Sequence, residues 1–156
     1  MPRRDDAIHI SRSPRATKLA ARLLARNILR KGPRRRAVVV ALAGELGTGK
    51  TVFARGFLGA LGVRGRVLSP TFILVRSYRL PKNRGEFVRA YHFDLYRLKN
   101  ANELRRAGFR EALSDAKAVV LVEWPERAGR ALPKDAVRVH LKHGADARER
   151  HVRFVW

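Results

Sequence analysis

Cysteine is absent from this sequence, and long apolar runs are absent with it. Without cysteine, disulfide bonds and cysteine-ligated zinc sites are excluded, and the chain fits a reducing compartment. The apolar run at residues 37–43 has the length of a strand and is too short to span a membrane. Residues 1–12 are basic and polar, and they lack the apolar segment of a signal peptide. These absences predict a soluble protein of the cytoplasm.

Acidic residues are scarce as well. The chain has 13 Asp or Glu against 35 Lys or Arg, which gives a formal net charge of +22. Residues 1–36 are especially basic, because Asp5 and Asp6 are the acids among them. Such a surplus favours polyanionic partners such as nucleic acids. A genome rich in Arg, Ala and Gly codons explains the same surplus, and the sequence leaves both explanations open.

The pattern of apolar residues predicts one α/β domain over residues 1–156. Hydrophobic residues make up 46% of the chain, enough for a core. Predicted strands are residues 6–11, 37–43, 73–80, 87–95, 118–122, 137–142 and 150–155. Predicted helices after the first are residues 50–61, 100–107 and 109–113. Residues 67–72 are a loop or an edge-strand element, and the basic segments 1–12 and 32–36 are expected to be flexible.

The first helix is predicted to begin with Ser13 as its cap and Pro14 in its first turn, and to end at Gly32. Helical spacing assigns its apolar face to Leu19, Leu23, Leu24 and Ile28. Basic residues occupy its other faces, namely Arg15, Lys18, Arg22, Arg26 and Arg30. If the charge of the first 36 residues is functional, Arg22, Arg26 and Arg30 belong to a patch that faces RNA.

A glycine-rich loop follows the apolar strand 37–43. Residues 44–51 match the pattern G-x-x-x-x-G-K-[ST], which wraps the phosphates of ATP or GTP. Glycines let the backbone turn its N–H groups inward, and the helix that follows aims its positive end at the same phosphates. Lys50 reaches the β- and γ-phosphates, and the Thr51 hydroxyl can coordinate Mg²⁺. The predicted nucleotide-binding residues of the loop are Gly44, Leu46, Gly47, Thr48, Gly49, Lys50 and Thr51.

A P-loop enzyme also needs a carboxylate at the end of a strand, which holds Mg²⁺ through water. Asp94 and Glu123 are the two candidates, because Asp94 lies near the end of the strand at 87–95 and Glu123 directly follows the strand at 118–122. Open α/β sheets place their sites at the carboxyl ends of strands. His92 is either catalytic or structural. Trp124 either joins the core or faces the nucleotide.

Ser69 and Thr71 flank Pro70 in the loop between the second helix and the next strand. They resemble switch residues that sense the γ-phosphate, and a turn anchored by the proline is the other interpretation.

Four blocks together resemble the bacterial TsaE (YjeE) family, the ATPase component of tRNA threonylcarbamoyladenosine synthesis. The resemblance covers about residues 13–148. The blocks are the P-loop, Ser69-Pro70-Thr71-Phe72 with Tyr78 downstream, His92-Phe93-Asp94-Leu95-Tyr96-Arg97-Leu98, and Val122-Glu123-Trp124-Pro125-Glu126-Arg127. The last two blocks are far more specific than the P-loop.

The resemblance implies an ATPase that is weak alone and acts with the TsaD–TsaB complex, in which TsaD modifies adenosine 37 of tRNAs that read ANN codons. It implies ATP and Mg²⁺ as cofactors, Asp94 and Glu123 as catalytic acids, and Thr51 and Glu123 as metal-binding residues. Trp124 lines the nucleotide site by the same resemblance. Thr17 corresponds to a threonine of the family's first helix that lies near the base, and Arg148 to a C-terminal Arg-Glu element. Contact with tRNA is expected chiefly through the partner complex, and direct contact is also open.

Two features depart from the family pattern. Val52 stands where the family often has a second threonine, thought to assist catalysis, so a hydroxyl is missing there. The N-terminal segment is rich in arginine, whereas more acidic sequences are expected of the family.

The predicted fold is a single P-loop NTPase domain of the α/β class. Its central sheet is mixed and mainly parallel, with few flanking helices and a C-terminal β-hairpin around Gly144. The alternatives are a P-loop small-molecule kinase and an ATP-dependent nucleic-acid-binding protein. A kinase is disfavoured because the chain has no room for a lid and an acceptor-binding insert. The nucleic-acid-binding alternative lacks a recognised RNA motif.

Overall fold

Seven strands form one sheet in the computed structural model, which describes residues 8–83 and 85–156. The strands are β1 Ile8–Ser11, β2 Val38–Ala43, β3 Val75–Arg79, β4 Arg89–Asp94, β5 Ala118–Glu123, β6 Val137–His143 and β7 Arg150–Val155. The helices are α1 Pro14–Lys31, α2 Lys50–Ala60, α3 Ala101–Arg106 and α4 Phe109–Ser114, and a 3-10 segment covers Pro125–Ala131. The part of the first predicted strand before residue 8 lies outside the described residues. Among these helices, none is both long and apolar enough to cross a membrane.

The strand order is β1-β7-β6-β2-β5-β4-β3, with β6, β2, β5 and β4 parallel to one another in the centre. The antiparallel pairings lie toward the edges, where β1 pairs with β7, β7 with β6, and β3 with β4. The predicted mixed sheet with a parallel centre and a C-terminal hairpin is confirmed. Because parallel strands share one direction, the carboxyl ends of β2, β4 and β5 meet at the same edge, and that edge holds the candidate site.

The core lies on both faces of the sheet. Alternate residues of β2 face opposite sides, so Val40 packs with α1 and α2 while Val39 packs with α3 and α4. β5 divides its residues in the same way. This double burial explains why both strands are continuous apolar runs in the sequence.

The apolar face of α1 differs from the prediction. Leu24 and Ile28 are buried as expected, but Leu19 is 57% exposed and Leu23 is 42% exposed. The buried face is completed by small residues, namely Thr17, Ala20, Ala21 and Ala25. Alanine and threonine let α1 lie close to its neighbours, and their weak hydrophobicity makes this face less visible in the sequence than the two exposed leucines.

Two glycines of α2 lie in very different surroundings. A Cβ built on Gly56 falls 2.8 Å from the Cα of Lys18 in α1, whereas a Cβ built on Gly59 has nothing within 4 Å. We therefore expect Gly59→Ala to stabilise the protein by about 0.5–1 kcal/mol through helix propensity. Gly56→Ala is expected to destabilise it by about 1–3 kcal/mol, because α1 must move away. Urea unfolding of both variants measures the difference, and equal stabilities would show that α1 does not pack on Gly56.

Candidate nucleotide-binding site

The loop between β2 and α2 has the conformation of an anion cradle. Gly47 and Gly49 have φ angles of 74° and 96°, in the left-handed region that favours glycine. A Cβ on Gly44 would collide with the carbonyl oxygen of Leu141, so a side chain does not fit there. Gly49 caps α2 without a side-chain hydrogen bond. The first N–H groups of α2 are therefore free of a capping side chain and suited to a phosphate group.

The Lys50 ammonium group lies at the mouth of this loop. Its Nζ donates hydrogen bonds to the carbonyl oxygens of Gly44 and Glu45, at 2.5 and 2.7 Å, and lies 4.0 Å from the centroid of the Trp124 ring. Burial lowers the pKa of Lys50, while nearby carboxylates, foremost Glu123, act to raise it. The charge thus sits in a partly desolvated place, where its attraction for an anion is stronger than in bulk water.

Asp94 and Glu123 stand side by side at the carboxyl ends of β4 and β5. The two residues are partners in the parallel register of these strands, and they are only 4% and 2% exposed. Both acids act electrostatically on Lys50, so the positive and negative groups of the site form one cluster. The structure brings together the residues that the sequence could place only at separate strand ends.

The Asp94 carboxylate is held by the loop that precedes β3. Oδ2 accepts hydrogen bonds from Thr71 Oγ1 at 2.6 Å and Ser69 Oγ at 3.3 Å, and Oδ1 accepts one from the backbone N–H of Tyr96 at 3.0 Å. The Ser69 hydroxyl also lies 2.6 Å from Thr71 Oγ1, so its one proton is shared between Thr71 and Asp94. These two hydroxyl groups are therefore tied directly to the carboxylate and are more than parts of a turn.

His92 lies behind Glu123. Its Nε2 donates to Glu123 Oε1 at 2.8 Å, and its ring is 1% exposed. Its Nδ1 finds no hydrogen-bond partner within the described part of the chain. Because the ring does not border the pocket, the geometry favours a positioning role over direct catalysis: His92 fixes the direction of the carboxylate.

Eight of the ten predicted site residues border one pocket of about 430 Å³. They are Leu46, Gly47, Gly49, Lys50, Thr51, Asp94, Glu123 and Trp124. Gly44 and Thr48 line the other side of the loop, where the Thr48 hydroxyl donates to the carbonyl oxygen of Glu45 at 2.7 Å. Trp124 has a φ of 58° and lines the pocket through a ring that also packs partly on the core, so both of its predicted surroundings are present.

Sequence reasoning missed Tyr96 and Arg150. The Tyr96 ring lies 5.0 Å from the Trp124 ring and borders the same pocket. Arg150, at the start of β7, donates from Nε to the carbonyl oxygen of Gly47 at 3.2 Å. The position of Tyr96 two residues after Asp94 was a usable signal. Arg150 offered none, because its contact depends on the order of strands in the sheet.

A second pocket, of about 400 Å³, adjoins the loop on the side of β1 and α1. It is bordered by Thr17, Gly49, Arg148 and Arg150, among others. The Thr17 hydroxyl shares a hydrogen bond of 2.7 Å with Ser11. Thr17, which the resemblance places near the base, and Arg148, which it assigns to a C-terminal Arg-Glu element, thus lie on one side of the cradle.

No group of three or more His, Asp or Glu within residues 8–83 and 85–156 is arranged to hold a metal ion by itself. Mg²⁺ in nucleotide sites is commonly held by one or two protein groups together with phosphate oxygens. Thr51 and the neighbouring acids at the pocket fit that kind of site.

Comparisons with known proteins agree on one family. The family model described as "Threonylcarbamoyl adenosine biosynthesis protein TsaE" matches residues 11–152. Two proteins named "tRNA threonylcarbamoyladenosine biosynthesis protein TsaE" are similar to this chain. The protein of Haemophilus influenzae is 39% identical, and the match covers 78% of this chain and 73% of the relative. The protein of Rickettsia prowazekii is 35% identical, and the match covers 86% of this chain and 85% of the relative. The crystal structure of Bacillus subtilis YdiB is similar with a TM-score of 0.72 and 28% identity, covering 96% of this chain and 84% of that one.

Proposed function

This chain belongs to the TsaE family of proteins of tRNA threonylcarbamoyladenosine biosynthesis, and on that premise we propose that it is the Mg²⁺-dependent ATPase of the pathway. The observation that carries the proposal is the cluster of Lys50, Asp94 and Glu123 around one pocket at the end of the P-loop. A cation and two carboxylates at a phosphate cradle are the parts that phosphoryl transfer to water needs.

Lys50 and Thr51 hold the phosphates in this proposal. The Lys50 ammonium group exchanges the carbonyl oxygens of Gly44 and Glu45 for oxygens of the β- and γ-phosphates, and so stabilises the charge that develops during transfer. The Thr51 hydroxyl and the Glu123 carboxylate would hold Mg²⁺ at this end of the pocket. When bound, Mg²⁺ neutralises phosphate charge and orients the terminal phosphate.

Asp94 orients the attacking water. Three hydrogen bonds fix its carboxylate, so the remaining lone pair, on Oδ1, points in one direction. Because Val52 has no hydroxyl, it cannot help to hold this water, and the proposal gives that task to Asp94 with Thr71 and Ser69 as its support. The same hydroxyls provide a physical link between the loop at residues 69–71 and the reacting phosphate.

The nucleoside half of ATP extends from the cradle toward the second pocket, past Gly49 to Thr17. The polar and basic groups there, including Thr17 and Arg148, suit the hydroxyl groups of a ribose. Trp124 covers the phosphate side of the site, with its ring over the ammonium group of Lys50.

We further propose that hydrolysis is coupled to the TsaD–TsaB complex in the cytoplasm, where TsaD modifies adenosine 37 of tRNAs that read ANN codons. The test is ATP turnover by the full chain alone, with TsaD–TsaB, and with TsaD–TsaB and tRNA. We expect slow turnover alone and faster turnover with the complex. Rapid phosphoryl transfer to a small molecule without the complex would favour a kinase, and ATP binding without hydrolysis in any mixture would contradict the proposal.

A separate prediction concerns His92 as the positioning residue of Glu123. We expect His92→Ala to lower the turnover number about 10- to 100-fold and to raise the Mg²⁺ concentration needed for half-maximal rate, because the carboxylate loses its orienting partner. His92→Gln keeps a hydrogen-bond donor and should recover part of the rate. If His92→Ala keeps the parental turnover number and Mg²⁺ dependence, His92 does not position Glu123 for the reaction.

A further inference from the structure

A concave surface separate from the nucleotide pocket lies between α1 and α2. It has a volume of about 420 Å³, and we call it the α1–α2 groove. Its sides carry the four basic residues Lys18, Arg22, Arg26 and Arg55, and its floor is formed by Gly56, Gly59 and Ala60. The sequence indicated the basic face of α1 but offered no reason to join Arg55 to it, since α2 lies beyond a strand and a loop.

The charge of this groove is entirely positive. α1 and α2 together contain eight Lys or Arg and no Asp or Glu. Some exposed arginines elsewhere pair with an acid, as Arg36 does with Asp135 and Arg89 with Asp115. The four basic side chains of the groove make no ion pair or hydrogen bond with the residues that the structure describes. Their charges are therefore uncompensated within that part of the protein.

The basic side chains of α1 are evenly spaced. Lys18, Arg22 and Arg26 follow one another at every fourth residue, which puts successive side chains on one face about 6 Å apart along the helix. Like charges at this spacing repel each other and weaken an isolated helix. A ligand with anionic groups at a similar spacing would offset this repulsion, because each basic side chain could pair with one anionic group.

The floor of the α1–α2 groove is formed by residues with very small side chains or none. Gly56 is needed for close packing against Lys18, but Gly59 meets no neighbouring atom and is helical, so packing gives no reason for a glycine there. Glycine inside a helix is unfavourable relative to alanine. Its presence leaves room for a bulky group between the arginines.

We propose that the α1–α2 groove binds the phosphodiester backbone of tRNA. The choice of tRNA rests on the proposed function, because tRNA is the nucleic acid of this pathway. The groove has regularly spaced cations that pair with no residue in 8–83 or 85–156, and its lining holds no aromatic or large apolar residue. These features fit phosphate contacts, whereas protein interfaces are usually anchored by aromatic and apolar side chains. In this proposal the groove positions the tRNA and contributes binding affinity, but it does not recognise the base sequence.

The test measures binding of fluorescently labelled tRNA to the full chain by anisotropy, at salt concentrations from low to physiological. The groove variant carries Arg22→Gln, Arg26→Gln and Arg55→Gln. The matched control carries Arg105→Gln, Arg106→Gln and Arg110→Gln, which removes three exposed charges from α3 and α4. The slope of log affinity against log salt should fall by about two to three in the groove variant and by less than about one in the control.

A second pair of variants places one charge on the groove floor. Gly59→Glu should weaken tRNA binding about tenfold relative to Gly59→Gln, which has the same size without the charge. Equal slopes in the two triple variants, or equal affinities in this pair, would overturn the proposal and leave the charge as a general property of the chain. If the groove variant keeps parental tRNA binding but loses affinity for TsaD–TsaB, the groove is a protein docking surface and the proposal is wrong.

ATP binding is measured in parallel on every variant, because it separates this inference from the proposed function. The groove variants should bind ATP like the parent, since none of their changes touches the P-loop. If the parent chain binds tRNA through the groove but does not bind ATP, the result contradicts the proposed ATPase activity and supports the proposed tRNA-binding surface.

Discussion

Replacing Lys50 with alanine will lower the affinity for Mg·ATP about 10- to 100-fold, the effect of losing charge-assisted hydrogen bonds to phosphate. The lysine is 6% exposed, but among the described residues its Nζ donates only to the loop carbonyls of Gly44 and Glu45, and it lies over Trp124. The sheet and helices do not depend on these contacts, so the variant should fold. Isothermal titration calorimetry gives the affinity, and circular dichroism gives the melting temperature.

The control for this change is Lys134→Ala, which removes the same charge from an exposed position before β6 and leaves the P-loop intact. It should bind Mg·ATP like the parent. If Lys50→Ala also binds like the parent, the loop at residues 44–51 does not bind phosphate and the assignment of the site is wrong.

Neutralising the two acids of the site will affect hydrolysis far more than binding. Asp94→Asn and Glu123→Gln preserve size, and each is expected to lower the turnover number about 100-fold or more while ATP affinity changes only a few-fold. The reason is that Asp94 acts on the water and Glu123 on the metal, and both matter most as charge moves in the transition state. Single-turnover measurements at saturating ATP report the chemical step directly.

The two acids should also differ from each other. Glu123→Gln should raise the Mg²⁺ concentration required for half-maximal rate, whereas Asp94→Asn should leave that requirement near the parental value. Glu126→Gln is the control, because Glu126 acts electrostatically on Lys50 but is exposed and does not border the pocket. Parental hydrolysis rates in both site variants would show that neither acid takes part in the reaction.

The sequence predicted those parts of the site that depend on short stretches of chain. The cradle is determined by the glycines around Lys50 and by the strand and helix that flank it. Asp94 and Glu123 could be placed because each lies at the carboxyl end of a strand, and parallel strands end at one edge. Their contact could not be predicted from these patterns alone, since it depends on β4 and β5 being neighbours in parallel register.

Other parts of the structure depend on packing between distant segments, which the sequence patterns do not reveal. The buried face of α1 is rich in alanine, which is only weakly hydrophobic. The hydrophobic periodicity of the sequence therefore assigned the exposed Leu19 and Leu23 to the buried face. Arg55 joins the α1–α2 groove only because Gly56 lets the two helices approach closely. Arg150 reaches the P-loop through the pairing of β7 with β6, which local sequence does not encode.

The most direct test of the central claim is the yield of threonylcarbamoyladenosine at position 37 of a tRNA that reads an ANN codon. The reaction contains TsaD, TsaB and their threonylcarbamoyl substrate with excess tRNA, and the modified nucleoside is measured by mass spectrometry. We predict much more modification with this protein and ATP than when the protein is omitted or carries Lys50→Ala. Equal yields with the parent, with Lys50→Ala and without the protein would contradict the account.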